Sequence, residues 1–497
     1  MDFVDLCNKY PDSVVSQLSR FIFESSPSPI RVIATVGALG CVAGIAGRAF
    51  NVQGEGLNIY VVLLAPTGSG KESMASGLDR LMSAVEAREA RLGQFCDVFA
   101  FKGPGRFGSG SALIRHLKDV SPSCFSIMGE FGYQIKRLLG GSSNDMSTRE
   151  VMLDAYGKSG QGRTLVPTAY SRKEDRMTPI RSPAWSLIGE TTYETFRDSL
   201  TDQLITDGFL PRCTVVRVED KLPYPNSTFM EVEPTGGLID KFTSLVSLAH
   251  NCQHQIDSNS STASTGVVRV QFDAQAREFI DSLMRARVDR MNVANEATRL
   301  ETDLLSRHAV TTAKLASLFS IGADPKRALS EPLITLDMLE WANDFNLQGH
   351  QKVLNWIATG ETGPTSGTNA QFSRQINVVR NFILKFLMMD FDEVRLIAHE
   401  SDHERLAVTH HRNWISRRNI FSEMIKHRMF KRCGYPPKSV IENILSSLCE
   451  TGELDKATQD RLRGVFKEHG VSRQGRWGVY YKADLERIRK NTEMEET

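Results

Sequence analysis

The sequence predicts an α/β protein, with a parallel sheet flanked by helices, then an all-α region and a C-terminal winged-helix-like module. Three observations carry that expectation. First, VVLLAPTGSGKESM (61–74) joins an apolar run to a glycine-rich loop and then to a helical pattern. Second, further apolar runs of strand length alternate with helical patterns: CDVFAF (96–101), CFSIMGE (124–130), AWSLIGET (184–191) and RCTVVRVE (212–219). Strands that alternate with helices imply crossover connections and hence parallel pairing. Third, helical periodicity takes over after residue 266, and the chain closes on a basic segment ending in GRWGVYYKA.

Taken in order, residues 1–50 read as an N-terminal helical region. Its apolar run VIATVGALGCVAGIAG (32–47) is rich in Gly and Ala and short for a bilayer span. A buried helix packed closely on the core is the expectation, not a membrane helix. Residues 51–256 form the core. The polar stretch DSNSSTASTG (257–266) separates it from a helical, lid-like region at 267–358, and TGETGPTSGTN (359–369) separates that from a basic module at 370–497.

Composition narrows the function. The 497 residues carry a formal net charge of +1, so any surface for nucleic acid must be local. Eight cysteines are scattered without C-x-x-C spacing, which argues against a zinc ribbon or a disulfide framework and suits a reducing cytosol. The acidic N-terminus MDFVDLCNKYPD does not read as a signal peptide. A cytoplasmic protein without a membrane partner is expected.

The stretch 61–74 has the context of a phosphate-binding loop of a P-loop NTPase. A strand delivers the chain to glycines whose backbone N–H groups can cradle phosphates, and a helix N-terminus follows. Pro66, Thr67, Gly68, Ser69, Gly70, Lys71, Glu72 and Ser73 would bind ATP, with Lys71 on the β- and γ-phosphates. Two positions depart from G-x-x-x-x-G-K-[ST]: Ala65 replaces the first glycine, and Glu72 stands where a magnesium-binding hydroxyl is usual. Magnesium would then fall to Glu72, to Ser73 one place later, or to another acid.

Glu130 follows an apolar strand and is placed to hold magnesium or polarise water; Gly129 stands where an Asp usually precedes it. Thr191, at the end of another strand, could sense the γ-phosphate, although Thr191 and Thr192 also suit the N-cap of the next helix. Arg212, in DGFLPR ahead of the last strand, could reach the nucleotide of a neighbouring subunit.

In this order NIYVVLLAPTGSGKE, FSIMGEFG, SLIGETTYETF and GFLPR resemble a family of phage and prophage P-loop ATPases, often fused to or beside primase modules and taken to be replicative helicases. The resemblance covers roughly residues 25–350 and the basic tail. It implies an AAA+ or superfamily 3-like ring, expected as a hexamer, with Lys71 and Glu130 as the hydrolysis pair, Thr191 as sensor and Arg212 as finger. With about 50 residues ahead of the core, a separate primase would have to work with this chain.

Between Arg405 and Lys438 lie nine Lys/Arg and one acid, Glu423. SRRNIFSEMIKHRMFKRCGYPPKSVIENILSSLCETGEL reads as helix, turn, helix, and KEHGVSRQGRWGVYYKA as a two-stranded wing. The candidate DNA contacts are Arg417, Arg418, Lys426, Arg428, Lys431, Arg432, Arg473 and Arg476. HESDHE (399–404) matches H-E-x-x-H, but Asp402 lies inside it, and a solvated charged helix is the expectation. The whole reads as an ATP- and Mg2+-dependent DNA helicase or translocase on single-stranded or forked DNA. The alternatives are an initiator or loader that does not unwind, and a nucleotide-switched DNA-binding regulator. Basic glycine-rich loops at 101–111 and 156–176 are candidates for the moving DNA contacts.

Overall fold

The computed structural model describes residues 2–139, 143–167, 177–218, 222–258, 266–295, 298–358, 368–399, 402–431, 437–471 and 478–496. Two compact units divide the chain. The first comprises Met1–Ser199, Leu204–Ala294 and Leu300–Val353; the second is Leu354–Thr497 with the short pieces Leu200–Gln203 and Asn295–Arg299. The N-terminal helices, the sheet and the helices Ala274–Val293 and His308–Ser320 thus belong to one unit.

The centre of the first unit is a four-stranded, all-parallel sheet. Its order is Ser123–Met128, Ala184–Thr191, Tyr60–Leu64, Cys213–Arg217. All five residues of Tyr60–Leu64 are buried, as expected of a parallel strand covered on both faces. The expected strand at 96–101 does not form. Phe99–Phe101 is a single 3-10 turn, and Lys102 alone bridges to Phe125. Asp97 explains this: its side chain accepts from the Ala100 amide at 3.1 Å and curls the chain before it can pair. Arg212 likewise lies in the 3-10 turn Leu210–Arg212, just ahead of the last strand.

The Gly/Ala-rich run forms the helix Arg31–Ala46, buried from Val32 to Ala46. It lies directly on the sheet. A Cβ on Gly40 would stand 2.2 Å from Ile188 Cδ1, and one on Gly44 2.6 Å from the Phe125 amide nitrogen. Small residues are therefore what lets this helix reach the strands. No helix among the described residues is long and apolar enough to cross a membrane. On the other face, the Phe131 ring covers Gly189 closely enough that a Cβ there would lie 2.3 Å away.

The region 267–358 is mainly helical, with two short parallel pairings, Val268–Arg269 with Phe50–Asn51 and Gln271–Phe272 with Leu333–Ile334. Within it, His308–Ser320 is buried nearly all round. That helix carries a fully buried lysine. Lys314 Nζ donates to the Asn58 carbonyl at 3.2 Å and to Asn58 Oδ1 at 2.8 Å, and sits 4.1 Å from the centre of the Tyr156 ring. No acid among the described residues forms an ion pair with it, and burial pushes its pKa down to about 7.

The second unit is mainly helical around a three-stranded antiparallel sheet, with Tyr480–Ala483 between Trp414–Ser416 and Leu454–Lys456. The helices Arg417–Met424, Arg428–Lys431 and Pro437–Glu450 lie between its first two strands in sequence. Of the two-stranded wing expected over 467–483, Tyr480–Ala483 is a strand and 472–477 lie outside the described residues. Ahead of it, Gln459–Glu468 is a helix, capped by Thr458 and held by buried Leu462 and Phe466 one turn apart. Arg380 and Glu453 form a buried two-pronged ion pair, Nε–Oε2 2.7 Å and Nη2–Oε1 2.8 Å. In HESDHE the helix begins only at His403, and Asp402 is buried, accepting from Ser416 Oγ and from the Tyr480 hydroxyl at 3.3 Å. That aspartate is a core acceptor and not part of a solvated charged helix.

Lys314 gives a sign-defined test. A base whose pKa is lower folded than unfolded adds stability that is complete above the unfolded value, near 10.4, and is lost as pH falls through the folded value. Wild-type stability should therefore rise between pH 7 and pH 10 through this group. Lys314→Met, which removes the buried charge but keeps the volume, is expected to raise the thermal midpoint at pH 7 and to gain less at pH 10. Calorimetric or circular-dichroism melts at both pH values check this; a lower midpoint at pH 7 would contradict it.

Candidate functional site

The candidate site lies at the C-terminal ends of the parallel strands, where the strand Tyr60–Leu64 passes through a loop into the 20-residue helix Glu72–Arg91. The loop is tight. Gly68 and Gly70 have φ of +77° and +73°, a region that side chains other than glycine rarely enter. Gly70 is required twice, since a Cβ there would also stand 2.8 Å from Ser28 Cβ. Pro66, Thr67 and Gly68 are exposed, whereas Ser69 is fully buried and its hydroxyl has no hydrogen-bond partner. Lys71 folds back over the loop and donates from Nζ to the Ala65 carbonyl at 3.4 Å. Of the two side chains expected to bind a cation, Glu72 is exposed and Ser73 buried.

The neighbouring strand is locked to this loop. Leu64 pairs with Thr191, and the Ala65 amide donates to the Thr191 carbonyl at 3.0 Å. Of the roles expected of the two threonines, helix capping falls to Thr192. Thr192 Oγ1 caps the helix Tyr193–Ser199, accepting from the Thr195 amide at 3.4 Å. Thr191 Oγ1 is buried without a partner and lies beside Gly132, whose Cβ would stand 2.6 Å from it. Glu130, just past the strand Ser123–Met128, is exposed and leads the helix Phe131–Leu138. Its φ of +52° and ψ of +35° are left-handed, which is uncommon outside glycine, asparagine and aspartate.

Sequence reasoning passed over Glu190. It pairs in register with Leu63, next to Thr191, and is only partly exposed. Burial pushes its pKa up to about 7, with Lys71 opposing that rise and Glu72 adding to it. The signal for it is the strand pairing, which a single sequence does not print.

The remaining predicted residues lie elsewhere. Arg212 precedes Cys213, which pairs with Tyr60 at the N-terminal end of the loop strand. It is thus separated from the chain's own loop by a strand length of roughly 16 Å. Its guanidinium donates to the Gly208 carbonyl at 2.5 Å and lies 5.9 Å from the centre of the Tyr156 ring. In the second unit, Arg417 forms an ion pair with Glu442 and lies 4.6 Å from the centre of the Phe421 ring. Arg418 and Lys426 are exposed, the latter 3.2 Å from Glu423. Arg428 and Lys431 fall on the short helix Arg428–Lys431. Arg432, Arg473 and Arg476 lie outside the described residues, as do 168–176 of the basic loop at 156–176. No cluster of His, Cys, Asp and Glu suited to a metal is formed among the described residues.

No family model matches the chain, and no curated protein matches it.

The backbone at Glu130 makes a stability test. Relief of a left-handed non-glycine conformation is worth about 1 kcal/mol. Glu130→Gly is expected to raise the unfolding free energy by about that amount, read from the denaturant midpoint. A clear loss of stability would show that the Glu130 side chain supports the fold.

Proposed function

We propose that the first unit is an ATPase that binds MgATP at residues 65–73, and that the protein is a DNA helicase or translocase of the phage replication type, working as a hexameric ring. The observation that carries the ATPase reading is the strand–loop–helix at 60–91, with its two left-handed glycines and Lys71 at the helix start. The order of the sheet supports it. The threonine strand lies between the loop strand and the strand leading to Glu130, so the acid stands about 10 Å across the sheet from the loop strand. That separation leaves room for a phosphate and a water between them.

In this reading Lys71 binds the β- and γ-phosphates, and the loop amides and the buried Ser69 hydroxyl complete the cradle. Thr191 Oγ1, buried and unsatisfied, donates to the γ-phosphate or to the attacking water. Glu130 accepts the proton from that water as its oxygen bonds to the γ-phosphorus and the bond to ADP breaks. Glu72 would hold magnesium, which when bound would supply positive charge against the phosphate oxygens. Arg212 stands too far from its own loop to take part in cis, which favours a finger on a neighbouring subunit.

The DNA reading rests on the exposed Arg418 and Lys426 of the second unit and on exposed Arg106 in the loop 101–111. The order of strands and helices in the second unit supports a winged-helix reading. Its helix Pro437–Glu450 carries one base, Lys438, against Glu442 and Glu450. A helix that reads base edges in the major groove needs more donors than that. Sequence-independent phosphate contact is therefore favoured over a sequence-specific regulator. Strand displacement on a forked substrate separates a helicase from a loader, and a separate primase is the expected partner.

Lys71→Ala is expected to abolish ATP binding and turnover, while Glu130→Gln binds ATP and turns it over at least about 100-fold more slowly. Equilibrium nucleotide binding beside phosphate release distinguishes the two; wild-type turnover by Glu130→Gln would remove Glu130 from the mechanism. Reversing two phosphate contacts with Arg418→Glu and Lys426→Glu is expected to flatten the slope of log K against log salt by about 2 on duplex DNA. An unchanged slope would mean that this face does not meet DNA.

A further inference from the structure

Gly129 leaves the cation of the proposed ATPase without its usual aspartate, and Glu130 cannot readily act both as a tight cation ligand and as a free base. Another carboxylate among the described residues lies at this end of the sheet. Glu190 is the next-to-last residue of Ala184–Thr191 and pairs with Leu63 of the loop strand. Side chains alternate between the two faces of a strand. Gly189 lies under Phe131 and Thr191 beside Gly132, so both face the helix Phe131–Leu138. Ile188 faces the opposite way, toward Gly40 of the helix Arg31–Ala46. Glu190 shares the Ile188 face, where Met74 in the first turn of the loop helix packs on Gly37.

The charges of Lys71 and Glu72 both act on Glu190 there. Among the described residues no hydrogen bond or ion pair satisfies its carboxylate. The Ser69 hydroxyl, turned inward in the adjacent loop and fully buried, is unsatisfied too. Two carboxylates brought together at a partly buried corner repel each other. A small hard cation relieves that repulsion, and its preferred ligands are carboxylate oxygens, phosphate oxygens and water.

We propose that Glu190 and Glu72 together hold the divalent cation that accompanies the nucleotide, with Glu190 supplying the carboxylate that is missing at position 129. The inference rests on the ATPase reading. It leaves Glu130, two strands away from the loop strand, free to act as the base.

The test measures nucleotide binding, not turnover. Binding of a non-hydrolysable ATP analogue to the full chain is titrated by calorimetry, first in EDTA and then at increasing Mg2+. Glu190→Gln is expected to raise the Mg2+ concentration for half-maximal binding by about 10- to 100-fold. Affinity in EDTA should stay equal or tighten, because a negative charge beside the phosphates is removed. Glu190→Asp, which keeps the carboxylate, should recover part of the Mg2+ response, as a purely packing role would not. Mn2+ bound with the analogue should show an altered paramagnetic resonance spectrum in Glu190→Gln and in Glu72→Gln alike. If Glu190→Gln does not fold, Glu72→Gln and Glu190→Asp carry the same Mg2+ test. A wild-type Mg2+ requirement in the folded variants overturns this inference and leaves the ATPase reading standing. Failure of the wild-type chain to bind the analogue with or without Mg2+ overturns both.

Discussion

The hydrogen bond from the Ala65 amide to the Thr191 carbonyl continues the central pairing one step past the end of the strand Tyr60–Leu64. With it, the first residue of the glycine loop is fixed against the last residue of the neighbouring strand. Register then decides which side chains flank the loop. A shift of one residue would exchange the faces of Glu190 and Thr191. As paired, the hydroxyl lies toward the helix that follows Glu130, and the carboxylate toward the start of the loop helix. Crevices at the carboxyl ends of parallel strands are the usual ligand sites of open α/β sheets. The polar groups here converge on that end.

A second constraint holds the loop from behind. The helix Arg31–Ala46 reaches the sheet because Gly40 and Gly44 offer no side chain to Ile188 and Phe125. The segment just ahead of that helix brings Ser28 against Gly70. The apolar run that looks membrane-like in composition therefore acts as the floor beneath the loop. Larger residues at 40 or 44 would push the helix off the strands and lift Ser28 from Gly70, so packing damage there would reach the site without touching any polar residue.

The loop, all four strands of the parallel sheet and the buried helix were legible because their signals are local: a glycine pair at fixed spacing, continuous apolar runs and an absence of charge. Residues 96–101 misled because their apolar character serves a turn that Asp97 bends, so Phe101 is buried without pairing as a strand. Glu190 was illegible for a different reason. Its meaning comes from pairing with Leu63, more than a hundred positions away in the chain, and a lone acid at a strand end carries no such information. Lys314 was illegible likewise, since its partner Asn58 belongs to another part of the first unit.

Counting bases in the sequence also overstates the positive charge that folding leaves available. Between 405 and 438 the bases outnumber the acids nine to one, yet the fold returns acids from outside that window. Glu442 pairs with Arg417, and Glu423 within the window pairs with Lys426. Beyond it, Asp455 pairs with Arg461. Exposed pairs of this kind are weak, about 1 kcal/mol or less, so DNA phosphates could displace them. Each displacement returns part of the electrostatic gain, and a face built this way grips a phosphate backbone less tightly than its base count suggests. Weak contact of that sort is compatible with the proposed translocase, which would have to release one stretch of strand before taking the next. Under the proposed translocase function, a fixed, tight grip by the second unit would oppose movement along the strand, and the force-bearing contacts would fall to loops of the first unit that the proposed ATP turnover could move.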